Sequence, residues 1–109
     1  MAYDDGLAHR LRDILAEHDD VDEKKMFGGL ALMLRGNMCV GIIGEELMVR
    51  VGPDGYQNAL AQPHARKMDF TGKPLTGFVY VACQGFESDE DLRAWVDRAV
   101  TFVLALGEK

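Results

Sequence analysis

The chain has 109 residues, 48% of them hydrophobic and 28% charged, with two cysteines and a net charge of -6. That length suits a single domain spanning residues 1–109, with more apolar content than a disordered chain carries. The acidic balance makes nucleic acid a poor default partner, because an acidic surface gains nothing from counterion release at phosphates.

The charge is unevenly spread. Residues 1–23 hold two arginines against eight acids, residues 24–83 hold seven basic residues against four acids, and residues 84–109 hold three against six. The ends are therefore acidic and the middle mildly basic. The N-terminus, Met1-Ala2-Tyr3-Asp4-Asp5, has neither the basic nor the apolar region of a signal peptide, and no apolar run is long enough to span a membrane. A cytoplasmic protein is expected. In that compartment Cys39 and Cys83, each in an apolar run, read as free thiols.

Asp4 and Asp5 can cap a first helix whose apolar stripe is Leu7, Leu11, Ile14, Leu15 and His18. Val21 to Lys25 leads into a three-strand meander with runs Met26–Leu34, Met38–Ile43 and Leu47–Val51. The Gly36-Asn37 pair tolerates the positive φ of a tight hairpin, and Gly44-Glu45-Glu46 makes a slightly longer loop. Only the third run alternates, with Leu47, Val49 and Val51 against Met48 and Arg50. The first two runs are apolar on both faces, which predicts a sheet covered by helices on one side and by a partner on the other. Too few helices exist to cover both faces of one copy, so a homodimer is expected. Gly28-Gly29 interrupts the first run and reads as a bulge or a close backbone approach. The spacing of a phosphate loop is absent.

Pro53 opens a short helix that ends before Pro63. His64 to Lys67 reads as a polar loop, Met68 to Phe70 as a short strand, and Thr71-Gly72-Lys73-Pro74 as a turn. Gly77 to Cys83 is a strand with Phe78 and Tyr80 on one face and Val79 and Val81 on the other. Ser88 caps the last helix, with Asp89, Glu90 and Asp91 in its first turn and Leu92, Trp95, Val96, Ala99, Val100, Val103 and Leu106 as its stripe. The predicted fold is α+β: helix, three-strand meander, short helix, two strands, long helix, an antiparallel sheet carrying its helices mainly on one face.

No residue pattern carries catalysis, so no catalytic residue is assigned. Ser88, the only serine, sits in a helix-capping context, and Cys39 has no cationic neighbour in sequence. His9 and His18 fall on opposite sides of a helix, His64 is alone in a loop, and no spacing predicts a metal site or a cofactor site. Arg66, Lys67, Asp69 and Lys73 form the most distinctive polar region and are the candidate rim of a partner-binding surface. The candidate structural turns are Gly28, Gly29, Gly36, Asn37 and Gly72.

Lys24-Lys25-Met26-Phe27-Gly28-Gly29, then Gly36-Asn37-Met38, then Leu47-Met48-Val49-Arg50-Val51-Gly52, resembles the N-terminal domain of the TfoX/Sxy competence regulators. Met68-Asp69-Phe70-Thr71-Gly72 and Gly77-Phe78-Val79-Tyr80-Val81 extend the likeness over nearly the whole chain. The resemblance implies an α+β fold similar to type III secretion chaperones, often dimeric. It also implies activation of DNA-uptake genes alongside the cyclic-AMP receptor protein. Three functions are compatible with these readings: a non-enzymatic regulatory protein-interaction domain, a chaperone-like or adaptor dimer binding a peptide or protein on its sheet, and a small ligand-binding protein or enzyme. Direct binding to DNA or to a membrane is not expected.

Overall fold

The computed structural model describes residues 4–26, 29–70 and 73–106. Asp4 caps the first helix, α1 (Asp5–Leu15), its Oδ1 accepting from the backbone N–H of Gly6 at 2.8 Å and of Leu7 at 3.2 Å. Leu7, Ala8, Leu11, Ile14 and Leu15 form its buried face. Four strands follow: β1 (Val21–Met26), β2 (Gly29–Leu34), β3 (Asn37–Ile43) and β4 (Glu46–Arg50). Helix α2 (Gly52–Leu60) then leads to β5 (Ala65–Phe70) and β6 (Lys73–Val81). A 3-10 turn at Cys83–Phe86 precedes α3 (Asp89–Leu106), whose first turn is capped by Ser88 Oγ accepting from Asp91 N–H at 3.0 Å.

The six strands make one antiparallel sheet in the order β1-β2-β3-β4-β6-β5. The core lies between one face of this sheet and the helices. It combines Leu30, Leu32, Leu34, Val40, Ile42, Leu47, Val49, Val79 and Val81 with Leu11, Leu15, Leu92, Val96, Ala99 and Val103. The architecture is the α+β arrangement expected from the sequence, with differences in detail.

The meander has a strand more than the sequence predicts. Val21 to Met26 pairs residue for residue with β2, although four consecutive charges, Asp22 to Lys25, read as a lead-in. A strand at the edge of a sheet needs no continuous apolar face, so its pattern is not diagnostic. For the same reason Ala65 to Lys67 belongs to β5 and not to a polar loop. The first hairpin is offset by one residue from the expected Gly36-Asn37 turn. Leu34 faces Asn37, and the two turn residues are Arg35 at φ 53° and Gly36 at φ 80°. Two successive positive φ angles match the right-handed twist of the flanking strands. Arg35 is held there by its N–H donating to the Asp20 carbonyl at 2.9 Å, while Asn37 is a buried strand residue. The second turn is likewise shorter: Ile43 faces Glu46, leaving Gly44-Glu45 as the loop.

Gly29 is a site of close backbone approach, since a Cβ there would run into the Ile42 carbonyl. Gly28 and Gly72 lie outside the described residues. Between β2 and β3 the register shifts: Leu32 faces Val40 while Met33 faces Met38, leaving Cys39 without a cross-strand partner. This bulge lets Cys39 and Val40 both enter the core.

Candidate protein-interaction surface

The β4 sequence alternates, so Leu47 and Val49 point to the helices and Met48 and Arg50 to the opposite face. Pairing of β4 with β6 sets Met48 beside Tyr80 and Arg50 beside Phe78. Pairing of β3 with β4 sets Gly41 beside Met48. Because Gly41 has no side chain, the Met48 methyl occupies the hollow above it. Met48 is only 1% exposed and Tyr80 8%, yet their cluster contains no helix residue; Met38, Ile43 and Phe78 pack around them, each half-buried. Ala31 and Met33 of β2 continue the same face, as the ladder with β3 requires. The result is an apolar sheet face rich in methionine and aromatic side chains, with no helix over it among the described residues.

Charged groups ring this centre. Arg66 lies 4.6 Å from the Tyr80 ring centroid and pairs with Glu46 through both Nε and the terminal nitrogen. Arg50 is half-buried between Phe78 at 5.6 Å and Phe102 at 5.3 Å, and its Nη1 donates to the Met38 carbonyl at 3.4 Å. Asp22 and Lys24, opposite Met33 and Ala31, complete the ring on the β1 side. An apolar centre with methionine and aromatic residues, bounded by arginine and mixed charge, has the anatomy of a protein–protein interface.

Of the rim residues expected from sequence, Arg66 belongs to this ring. Lys67 sits opposite Val79 and therefore points to the other side of the sheet. Asp69 and Lys73 contribute backbone to the β5–β6 hairpin, Asp69 opposite Pro74 and Lys73 opposite Phe70. The four thus share one hairpin. Sequence reasoning missed Glu46, Arg50, Met48 and Tyr80 as members of a common surface. The alternation in β4 and the Phe78/Tyr80 face were legible singly, but the pairing of β4 with β6 was not.

Elsewhere the titratable groups do not converge. Among the described residues no three His, Cys, Asp or Glu side chains are placed to hold a metal. Burial pushes the Cys39 thiol up to about 12, with the Arg50 charge acting in the opposite direction, which disfavours the thiolate; Cys83 is exposed. A cleft of about 330 Å³ opens between His64, Gln84, Trp95 and Arg98. Two of its polar groups are already engaged: Trp95 Nε1 donates to the Gly85 carbonyl at 3.2 Å, and Arg98 donates to Asn58 Oδ1 at 2.9 Å while stacking on Trp95. No helix of the described residues is long and apolar enough to cross a membrane.

A search of curated proteins gives no match. The family model for the TfoX N-terminal domain matches residues 13–103, which takes in the sheet, all of α2 and nearly all of α3, and the chain belongs to that family.

Proposed function

We propose that this chain is a non-enzymatic, cytoplasmic regulatory domain that acts by binding protein, docking a transcription regulator on the open face of its sheet. The observation that carries this reading is the apolar cluster of Met48 and Tyr80 with half-exposed Met38, Ile43 and Phe78 around them, with no helix across it among the described residues. An exposed contiguous apolar surface rimmed by charge is the usual mark of a partner site. Membership of the TfoX family supports a regulatory role, and the likeness to competence regulators makes the cyclic-AMP receptor protein the first partner to test. Contact with a regulator is physically easier than contact with DNA. The first turn of α3 carries Asp89, Glu90 and Asp91, α2 has no Lys or Arg, and the net charge is -6.

The test is a titration of fluorescently labelled protein with purified cyclic-AMP receptor protein, comparing the native sequence with Met38→Glu and Phe78→Glu. Saturable binding lost in both variants supports the reading. Binding that survives both moves the contact off this face, and no binding removes the named partner. A gel shift against duplex DNA at low salt is expected to show no submicromolar complex. We further propose that the active species is a homodimer, observable as a dimer mass by sedimentation equilibrium at micromolar concentration.

A further inference from the structure

Among the described residues the sheet ends at β1 on one side and at β5 on the other, and these two edges differ. Strand β5 is irregular between Lys67 and Asp69, and its exposed neighbours Arg66 and Lys67 carry one sign of charge. Strand β1 runs unbroken in register with β2 from Val21 to Met26, and its exposed charges come in the order acid, acid, base, base: Asp22, Glu23, Lys24, Lys25.

The ladder determines which backbone groups face the open side of β1. Val21 faces Leu34, so Asp20 and Arg35 are directly opposed, and the Arg35 N–H donates to the Asp20 carbonyl at 2.9 Å. Hydrogen-bonded and non-hydrogen-bonded pairs alternate along an antiparallel ladder. The even-numbered residues of β1 therefore bond to β2, while Val21, Glu23 and Lys25 direct N–H and C=O outward, away from β2. Side chains alternate in the other sense. Asp22 and Lys24 stand on the open face, and Glu23 and Lys25 on the helix-bearing side, opposite Leu32 and Leu30.

We propose that two copies of this chain join by antiparallel pairing of β1 with β1 about a two-fold axis at Glu23, making the sheet continuous through the dimer. Residues directly opposed in an antiparallel ladder lie on the same face, so a symmetric pairing must centre on a residue and not between two. Centring on Asp22 or Lys24 opposes like charges at the axis at the closer, non-hydrogen-bonded position. Centring on Glu23 opposes Asp22 of each copy to Lys24 of the other. These contacts fall at non-hydrogen-bonded positions, where Cα atoms are only about 4.5 Å apart and side chains interact most strongly. The outward groups of Val21, Glu23 and Lys25 then supply about six backbone hydrogen bonds between copies. The like-charge contact in this register is Glu23 with its symmetry mate, at the wider hydrogen-bonded position. Each Glu23 is already held by Arg12, whose Nε and Nη2 donate at 2.7 and 2.8 Å, so the two carboxylates arrive with two guanidinium groups beside them. A two-fold axis normal to the sheet keeps both open faces on the same side. The dimer presents one extended apolar surface and leaves it free for a partner.

This interface takes only the two-copy state from the homodimer reading above, since it leaves uncovered the apolar face from which that state was expected, and the experiment separates the two. Sedimentation equilibrium is run at low salt on the native sequence, on Asp22→Lys, on Lys24→Asp and on the double exchange, with Met38→Glu as a control on the open face. All these positions are exposed or half-exposed, and circular dichroism checks their folding. The native chain is expected to be a dimer. Each single reversal turns two attractive contacts into repulsive ones and raises the dimer Kd by about tenfold, the double exchange restores it, and Met38→Glu leaves it unchanged. A monomeric native chain overturns both the interface and the homodimer reading. A native dimer indifferent to the β1 variants, or one dissociated by Met38→Glu alone, overturns the interface while the homodimer reading stands.

Discussion

Leu47 and Val49 on one side of β4 are buried in the core where α3 packs against β4, whereas Met48, between them, is buried among the described residues by its own sheet. The two environments look alike by exposure, 0% for Leu47 and 1% for Met48, and differ in what supplies the contact. On the helix-bearing side a second layer excludes water. On the open side the glycine gap at Gly41 and the neighbours Met38, Ile43, Phe78 and Tyr80 do so without a second layer. Burial of one side chain therefore does not mean that its surface is finished. Met48 is covered, and the residues covering it remain half-exposed.

The sharpest contrast lies between the two thiols. Cys39 sits under the helices with its ionisation pushed up to about 12, and Cys83 is exposed. A thiol reagent at neutral pH is expected to label Cys83 in the native protein and Cys39 only after unfolding, as counted by mass spectrometry. Native labelling of both would mean that the helical layer opens freely.

Truncation on each face tests the comparison directly. Leu32→Ala, under the helices, is expected to destabilise the fold by about 2–5 kcal/mol in chemical denaturation, because the cavity is sealed. Met48→Ala, on the open face, should cost only about 1–2 kcal/mol, since water can enter the space left behind. Equal losses would show that the open face is covered in solution.

The hairpin that joins β2 to β3 serves both faces. Gly36→Val places a β-branched residue at φ 80° and is expected to cost about 1–3 kcal/mol. An unchanged denaturation midpoint would mean that the turn can re-form elsewhere.

A smaller effect is expected from the tie between α1 and β1. The hydrogen bond from Arg12 holds the Glu23 carboxyl below its ordinary range. A carboxylate depressed in the folded state contributes stability that is present at neutral pH and lost as pH falls through the carboxylate range. Both side chains are about half-exposed, so the contribution is about 0.2–1 kcal/mol. Arg12→Gln should lower stability by that amount at neutral pH and by nothing once Glu23 is protonated, measured as denaturation midpoints across pH. The smallest change expected is Met38→Ser, within about 0.5 kcal/mol in stability, although the same side chain lies at the centre of the proposed docking surface.

The legibility of the chain follows the same division. Elements that bury a full face announce themselves by period: the stripes of α1 and α3 (apart from His18, which lies beyond α1, and Leu106, which is exposed), their caps at Asp4 and Ser88, and the separation of Phe78 and Tyr80 from Val79 and Val81. Edge strands do not, because one or both of their faces are wet. That is why Asp22 to Lys25 and Ala65 to Lys67 read as loops. The one-residue offset at Arg35-Gly36 escaped because a non-glycine residue holds a positive φ there, fixed by its bond to Asp20. Apolarity on both sides of the Leu30–Ile43 hairpin did signal an open face. Its full membership depended on the contact of β4 with β6, made across an intervening helix and strand, and no local pattern encodes such a pairing.

The strand order also bears on how the chain assembles. Strands β1 to β4 are neighbours in sequence and in space, separated by only a few residues of sequence, so their pairing closes only small loops. Strand β6 must pass α2 and β5 before it reaches β4, and α3 docks against β3 and β4 from the far end of the chain. Early pairing of the meander, followed by β6 and then α3, is the order that minimises entropy lost before contacts form. Substitutions in the β2–β3 hairpin then act mainly on the folding rate, and substitutions in α3 mainly on the unfolding rate.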